Sequence, residues 1–179
     1  KYKKKLNIKS DIHRIKENEW ERVHQLCNKT NQFNLTTQRY SLEEIQSFAK
    51  NSNIDIFTVT TEDKFGDNGL TGVVILKKGK KDIIIDTFLM SCRVMGRKLE
   101  HVIIGTLIHY YKNNYQTLIG EYKKTAKNTP VKNLYNELGF EMIDNQDNYQ
   151  KYYYLLSKDY QLIDIYDKII FNGEKISEN

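Results

Sequence analysis

The chain has 179 residues, close to what one domain with a short appendage takes at roughly 150 residues per domain. Hydrophobic residues make up 39% and charged residues 28%, with a single proline, which excludes a disordered, collagenous or proline-rich chain. The formal net charge of +5 would suggest a nucleic-acid partner until it is located: Lys1, Lys3, Lys4, Lys5 and Lys9 account for all of it, and the remainder balances. No uncharged apolar run approaches the roughly 20 residues that cross a bilayer, and no signal-peptide pattern opens the chain, so no membrane partner is expected. Cys27 and Cys92 do not make a disulfide framework, which fits a reducing, cytoplasmic setting. A first residue of Lys1 rather than methionine suggests a domain cut from a longer protein.

Leu6, Ile8, Ser10 and Ile12 alternate with polar residues, the period of two of a half-buried strand, and the alternation fails at Arg14 and Ile15. Asn18 with Glu21 has the spacing of a capping box, and Trp20, Val23 and Cys27 follow near helical spacing, so a helix is expected over about 18–28. Residues 28–34 read as a polar loop whose side chains compete with the backbone for hydrogen bonds. Ser41 and Glu44 form a second capping box ahead of Leu42, Ile45, Phe48 and Ala49, a short helix. A hairpin follows, with strands at 56–61 and 73–76 around the turn chemistry of 65–69.

The run 83–90 is too continuously apolar for a one-sided sheet and reads as a central strand. Leu99, Val102, Ile103, Thr106, Leu107 and Tyr110 then trace one face of an amphipathic helix. A strand is expected over 117–122, then a helix with Thr129 as its cap, Pro130 at its first position and Gly139 past its end. Strands at 140–143 and 152–157 close the domain, and 158–179 reads as a tail or an extra helix. The whole is an α+β domain over 1–157 with a mixed sheet of six to seven strands flanked by helices.

Chemistry concentrates where the central strand meets the long helix. Arg93-Val94-Met95-Gly96-Arg97-Lys98 places a glycine turn at a helix N-terminus, where unpaired N–H groups and the positive end of the dipole favour an anion. Two readings stand: a phosphate or pyrophosphate site with Arg93, Arg97 and Lys98 as mobile cations, or an ordinary turn with solvated side chains. Cys92, beside Arg93, is either a packed hydrophobe or a thiolate favoured by cation and helix terminus. Asp86 and Glu121 fall in adjacent expected strands, each as a base for an acceptor or as a carboxylate paired with a lysine. The four histidines show no metal-ligand spacing, so no metal is expected, and Tyr152-Tyr153-Tyr154 alternates between core and rim rather than offering a nucleobase platform.

The order of strand, Arg-x-x-Gly-x-x turn, helix and strand, followed by Leu134-Tyr135-Asn136-Glu137-Leu138-Gly139-Phe140, resembles the GNAT N-acetyltransferase superfamily from the first strand to Ser157. Within it, residues 28–37, 65–69, 86–94 and 125–128 resemble the C-terminal half of FkbH-like proteins. In those proteins a HAD-like half precedes this one, and a glyceryl unit is loaded from a phosphoglycerate donor onto the phosphopantetheine of an acyl carrier protein. The resemblance implies coenzyme A, acyl-CoA or a carrier arm as cofactor, and an acyl carrier protein as partner. No Asp-x-Asp occurs in the sequence, so the phosphate chemistry of the HAD-like half is not expected in this chain.

The implied donor site comprises Met90, Ser91, Cys92, Arg93, Val94, Met95, Gly96, Arg97, Lys98 and Asn128, with the backbone of Met90–Cys92 holding pantetheine by strand-like hydrogen bonds. Tyr135, otherwise a core tyrosine, would protonate a departing thiolate, with Cys92 and Asp86 as further catalytic candidates. Asn28, Thr30, Asn31, Gln32 and Asn34 would wall a substrate pocket. Lys98 stands where the superfamily prefers glycine or alanine, a side chain where backbone must approach an anion. Two other functions fit the same residues: a non-catalytic carrier-binding module, and a free-standing acetyl-CoA-dependent N-acetyltransferase.

Overall fold

The computed structural model describes residues 7–162 and 166–178, so Leu6 of the first expected strand lies outside the described residues. Strand β1 (Lys9–Arg14) turns Ser10 and Ile12 inward and ends where the alternation fails. The chain enters helical geometry at a 3-10 turn, Glu17–Glu19, ahead of α1 (Trp20–Lys29). The cap is therefore two residues earlier than expected: the Glu19 carboxylate accepts the Lys16 N–H at 2.9 Å, and the Asn18–Glu21 pair is not used. At α2 (Leu42–Lys50) the expected box forms, Ser41 Oγ accepting from the Glu44 N–H and the Glu44 carboxylate from the Ser41 N–H, each at 3.1 Å.

Strands β2 (Ile54–Asp63) and β3 (Gly66–Lys78) form an antiparallel hairpin, and β4 (Asp82–Met90) runs antiparallel to β3. Helix α3 (Leu99–Tyr111) crosses over to β5 (Thr117–Lys123), which is parallel to β4. The single helix expected from Thr129 is two pieces, a 3-10 turn at Thr129–Val131 and the short α4 (Leu134–Glu137). The residue before it is Asn128, which makes no capping bond because its amide is used elsewhere. Gly139, at φ +88°, ends α4 as expected. Strands β6 (Glu141–Gln146) and β7 (Tyr149–Leu155) form the next hairpin.

The segment expected as a tail or extra helix holds two strands instead. β8 (Lys168–Phe171) adds parallel to β1, and β9 (Glu174–Glu178) adds antiparallel to β8. The sheet thus has nine described strands, in the order β6-β7-β5-β4-β3-β2-β1-β8-β9, rather than six or seven. The addition follows from β1 being an edge without it, an open row of backbone groups that a later segment of the same chain can pair.

Two apolar layers cover the sheet. Val23, Leu26, Cys27 and Ile45 of α1 and α2 pack on Ile56, Val73, Ile75 and Leu89 of one face. On the other face α3 packs against Phe57, Val74, Leu76, Ile83 and Phe88. Ile83 and Ile85 share that face with Phe88 and Met90, which a strict period of two forbids. A bulge resolves it: Ile75 pairs with Thr87 and Leu76 with Ile85, leaving Asp86 as the extra residue.

The amphipathic face expected of α3 extends around the helix, with Ile104, Gly105 and Ile108 buried as well. The C-terminal segment lies over its outer side. A Cβ on Gly105 would sit 2.8 Å from Leu162 Cδ2 and 2.9 Å from Tyr160 Cε1, so glycine allows the close crossing. Among the described residues no helix is long and apolar enough to cross a membrane.

Candidate active site

β4 and β5 pair only over Asp82–Ile85 and Thr117–Gly120, although both strands continue. Beyond Ile85 and Gly120 the sheet therefore parts, with Tyr135 and the turn that follows β4 at that end. Tyr135 of α4 lies on Gly120, the last residue of β5 paired with β4: a Cβ there would be 2.6 Å from the phenol ring. The ring packs with Phe140 and Tyr152, and only 1% of the residue is exposed. Its hydroxyl is buried with no hydrogen-bond partner among the described residues. Burial pushes this phenol well above its ordinary value, with the nearby Glu121 carboxylate adding to the effect, so it stays protonated.

Past β4, Ser91 caps a 3-10 turn over Cys92–Val94, its Oγ accepting from the Arg93 N–H and its own N–H donating to Thr71 C=O at 2.8 Å. Val94 is buried and Met95 packs on the core, which fixes the turn from below. Tyr166 donates its hydroxyl to Arg97 C=O at 3.1 Å and holds it from the C-terminal side. Gly96, at φ +80°, has open space where a side chain would be, so its backbone is approachable. The turn leads directly into the N-terminus of α3, and the first N–H groups of a helix lack intrahelical acceptors, which is what an anion site uses.

The cations differ from expectation. Arg93 is exposed, but Arg97 is not mobile: its Nη1 sits 2.8 Å from Asp63 Oδ2 at the end of β2. Hydrogen bonds from Arg97, the Asn68 amide and the Phe65 N–H hold the Asp63 carboxyl down to about 2. A cavity of about 170 Å³ between this hairpin and the turn is lined by Ile8, Asp63, Lys64, Phe65, Gly96 and Arg97. Lys98 is exposed, and its backbone is left-handed, at φ 58° and ψ 26°. Lys98 therefore holds a backbone conformation that glycine would adopt without strain.

Asp86 has both oxygens engaged, by Tyr40 Oη at 2.6 Å, Thr87 Oγ1 at 2.9 Å and Lys77 Nζ at 3.2 Å. Glu121 has no ion-pair partner among the described residues: Tyr149 donates its hydroxyl to Glu121 Oε2 at 2.5 Å. Cys92 is exposed, with Sγ 3.8 Å from Gln32 Oε1. Cys27 is buried below Asp86, and burial, helped by that carboxylate, pushes its thiol up to about 12.

The side chains of the polar loop are largely taken up by bonds to the segments just before and after it and within it. Asn28 donates to His24 C=O and Tyr40 C=O, Asn34 donates to Thr30 C=O, and Asn31 accepts from Arg39. Of the five expected pocket residues only Gln32 presents an exposed side chain to Cys92. Asn128, expected at the donor, is fully buried and bound: its amide donates to Asn34 C=O and Lys123 C=O and accepts from the Thr125 N–H and Tyr122 Oη. A cavity of about 620 Å³ at the C-terminal end of α3, beside Lys112 and Tyr160, shares no residue with this site.

The sequence reading missed what enters the opening. Phe33 C=O accepts the Met90 N–H at 3.0 Å, the Leu35 N–H donates to Phe88 C=O at 3.1 Å, and Leu35 C=O accepts the Lys123 N–H at 2.8 Å. Asn34 bridges Leu89 in antiparallel fashion. A segment this short carries no periodic signal by which it could have been found.

A sheet that parts after a parallel pair, a glycine turn at the following helix and a tyrosine at the opening can be set beside known structures. The ribosomal-protein-S18-alanine N-acetyltransferase of Escherichia coli matches 84% of this chain and 96% of its own, with a TM-score of 0.64 at 14% identity. This is the GNAT N-acetyltransferase fold. The spermidine N-acetyltransferase of Vibrio cholerae, solved in complex with CoA and spermine, matches 84% of this chain and 97% of its own, with a TM-score of 0.62 at 16% identity. A domain from Methanocaldococcus jannaschii covers 83% of this chain and 99% of its own, with a TM-score of 0.65 at 16% identity. At such identities the likeness establishes the fold. No protein-family model matches the sequence, and no curated protein does.

Proposed function

We propose that this domain is a GNAT-type acyltransferase whose donor is a pantetheine thioester, carried by coenzyme A or by the phosphopantetheine arm of an acyl carrier protein. The observation that carries the reading is the Tyr135 hydroxyl, buried without a partner among the described residues beside the point where β4 and β5 part. An orphaned buried hydroxyl costs about 1–3 kcal/mol, and a ligand atom at the opening would relieve that cost. The donor supplies an activated acyl group and a thiolate leaving group. The N–H groups at the start of α3, with Gly96 leaving the backbone open, would hold its phosphate end, aided by Arg93 and Lys98. The Tyr135 phenol, kept protonated by burial, would deliver a proton at the sulfur. Asp86, saturated by Tyr40, Thr87 and Lys77, positions the loop over the site rather than accepting a proton.

The finer reading rests on the four FkbH-like segments: an acyl carrier protein as partner, a glyceryl-type acyl group, a HAD-like half elsewhere in the parent chain, and cytoplasmic work. A second reading, acetyl transfer to an amine, is supported by Glu121. Its carboxylate follows the last β4–β5 pair, is held by Tyr149, and has no ion-pair partner among the described residues, so it is available to an ammonium or its proton. Calorimetry with CoA, acetyl-CoA and a phosphopantetheinylated carrier separates these, and absence of heat with all three overturns the proposal. Tyr135→Phe is expected to keep the fold, to weaken donor binding because the hydroxyl that a donor atom would satisfy is gone, and to lower turnover by about 10²-fold or more; unchanged turnover would favour a carrier-binding module. Glu121→Gln should abolish amine acetylation and spare carrier transfer.

A further inference from the structure

We infer that residues 33–37 form a displaceable strand that holds the β4 backbone groups needed by the donor, so that donor binding drives this segment out of the opening. The inference rests on the pantetheine-thioester reading above and adds to it how the site is closed without a donor.

Beyond the last β4–β5 pair, β4 offers the Phe88 C=O and the Met90 N–H toward β5. Both are taken, by the Leu35 N–H and the Phe33 C=O. On its other side the segment is tied to β5 through Leu35 C=O and the Lys123 N–H, and to the following turn through Asn34 C=O and the Asn128 amide. Thr36 Oγ1 adds a bond to Asp86 C=O at 2.7 Å. A donor arm paired strand-fashion along Met90 needs one of the same groups, and an N–H donates well to one acceptor at a time. Simultaneous occupation is excluded by backbone hydrogen bonding, whatever the side chains do.

The segment is also held at a cost. Thr37, where it leaves the opening, has φ 51°, a left-handed conformation that a β-branched residue rarely takes. Its Oγ1 is buried with no partner among the described residues. Strain and an unmet hydroxyl at one end, against backbone bonds that a donor can replace one for one, describe a segment poised to move. Asn128 then acts as the latch, being the fully buried side chain that joins the segment to the exit of β5.

Amide hydrogen exchange of the wild-type protein, with and without saturating CoA, tests this. Exchange at Leu35 and Lys123 is expected to rise by about tenfold or more on binding, while Met90 keeps its protection because its N–H changes partner rather than losing one. CoA binding with Leu35 and Lys123 unchanged overturns the inference and leaves the donor reading standing. No binding of CoA, acetyl-CoA or a phosphopantetheinylated carrier overturns both. Asn128→Ala supplies a second measurement: a latch predicts CoA affinity tightened by about 3- to 10-fold, whereas weakened affinity would make Asn128 a donor ligand and refute the latch.

Discussion

Replacing Lys98 with glycine separates backbone strain from charge at the start of α3. Lys98 sits at φ 58° and ψ 26° as the residue before the helix, exposed and without a capping bond. The left-handed conformation costs an L-residue about 1–2 kcal/mol. Glycine returns about 0.5–1 kcal/mol of that through its greater freedom in the unfolded chain. A cation at the positive end of a helix dipole is unfavourable by about 0.3–1 kcal/mol, taken at the low end here because the side chain is solvated. The sum is a stabilisation of about 1 kcal/mol, or a rise in Tm of about 2–4 °C for a domain of this size. Lys98→Met keeps the strain and removes the charge, so thermal or urea unfolding should show no more than about a third of the gain. In parallel, both variants should weaken CoA binding by about 2- to 5-fold at low salt and much less at high salt, because only the charge was lost to the anion. A glycine variant no more stable than the methionine variant would refute the conformational account of this position.

Asp63→Asn releases Arg97 from its 2.8 Å ion pair beside the glycine turn, so CoA affinity is expected to rise, most at low salt. Because Asp63 in the folded protein is held down to about 2, below its ordinary value, its contribution to stability is present above the unfolded carboxylate value and is lost as pH falls toward 2. Wild-type CoA affinity should therefore show no change from this group between about pH 4 and 7, and a titration there that vanishes in Asp63→Asn would contradict the pairing. Gly120→Ala places a Cβ 2.6 Å from the Tyr135 ring, so urea unfolding should show a loss of about 1–3 kcal/mol. An alanine variant as stable as wild type would mean that Tyr135 does not lie on β5.

Local features of this protein are written in local sequence. The Ser41–Glu44 cap, the continuous apolar run of β4 and the glycine turn before α3 each depend on residues within a few positions of one another, so spacing reveals them. The burial of α3 on its outer side could not be read the same way, because periodicity tells which face is apolar and not what arrives from residues 160–162 to cover the other. The same limit governs the candidate site. Tyr135 and the turn at Gly96 were legible as residues, but Arg97 was lost to Asp63 across 34 positions and Asp86 to Tyr40 across 46. Those partners are chosen by the sheet order. Strand β8 joins β1, and Phe33 and Leu35 fill the gap between β4 and β5, because open backbone hydrogen-bonding groups must be met from wherever the folded chain can reach them. Local spacing marked most strands and helices up to β7 and the glycine turn before α3, but neither β8 and β9 nor the segment that enters the opening. The tertiary structure decided which of their polar groups remain free to act.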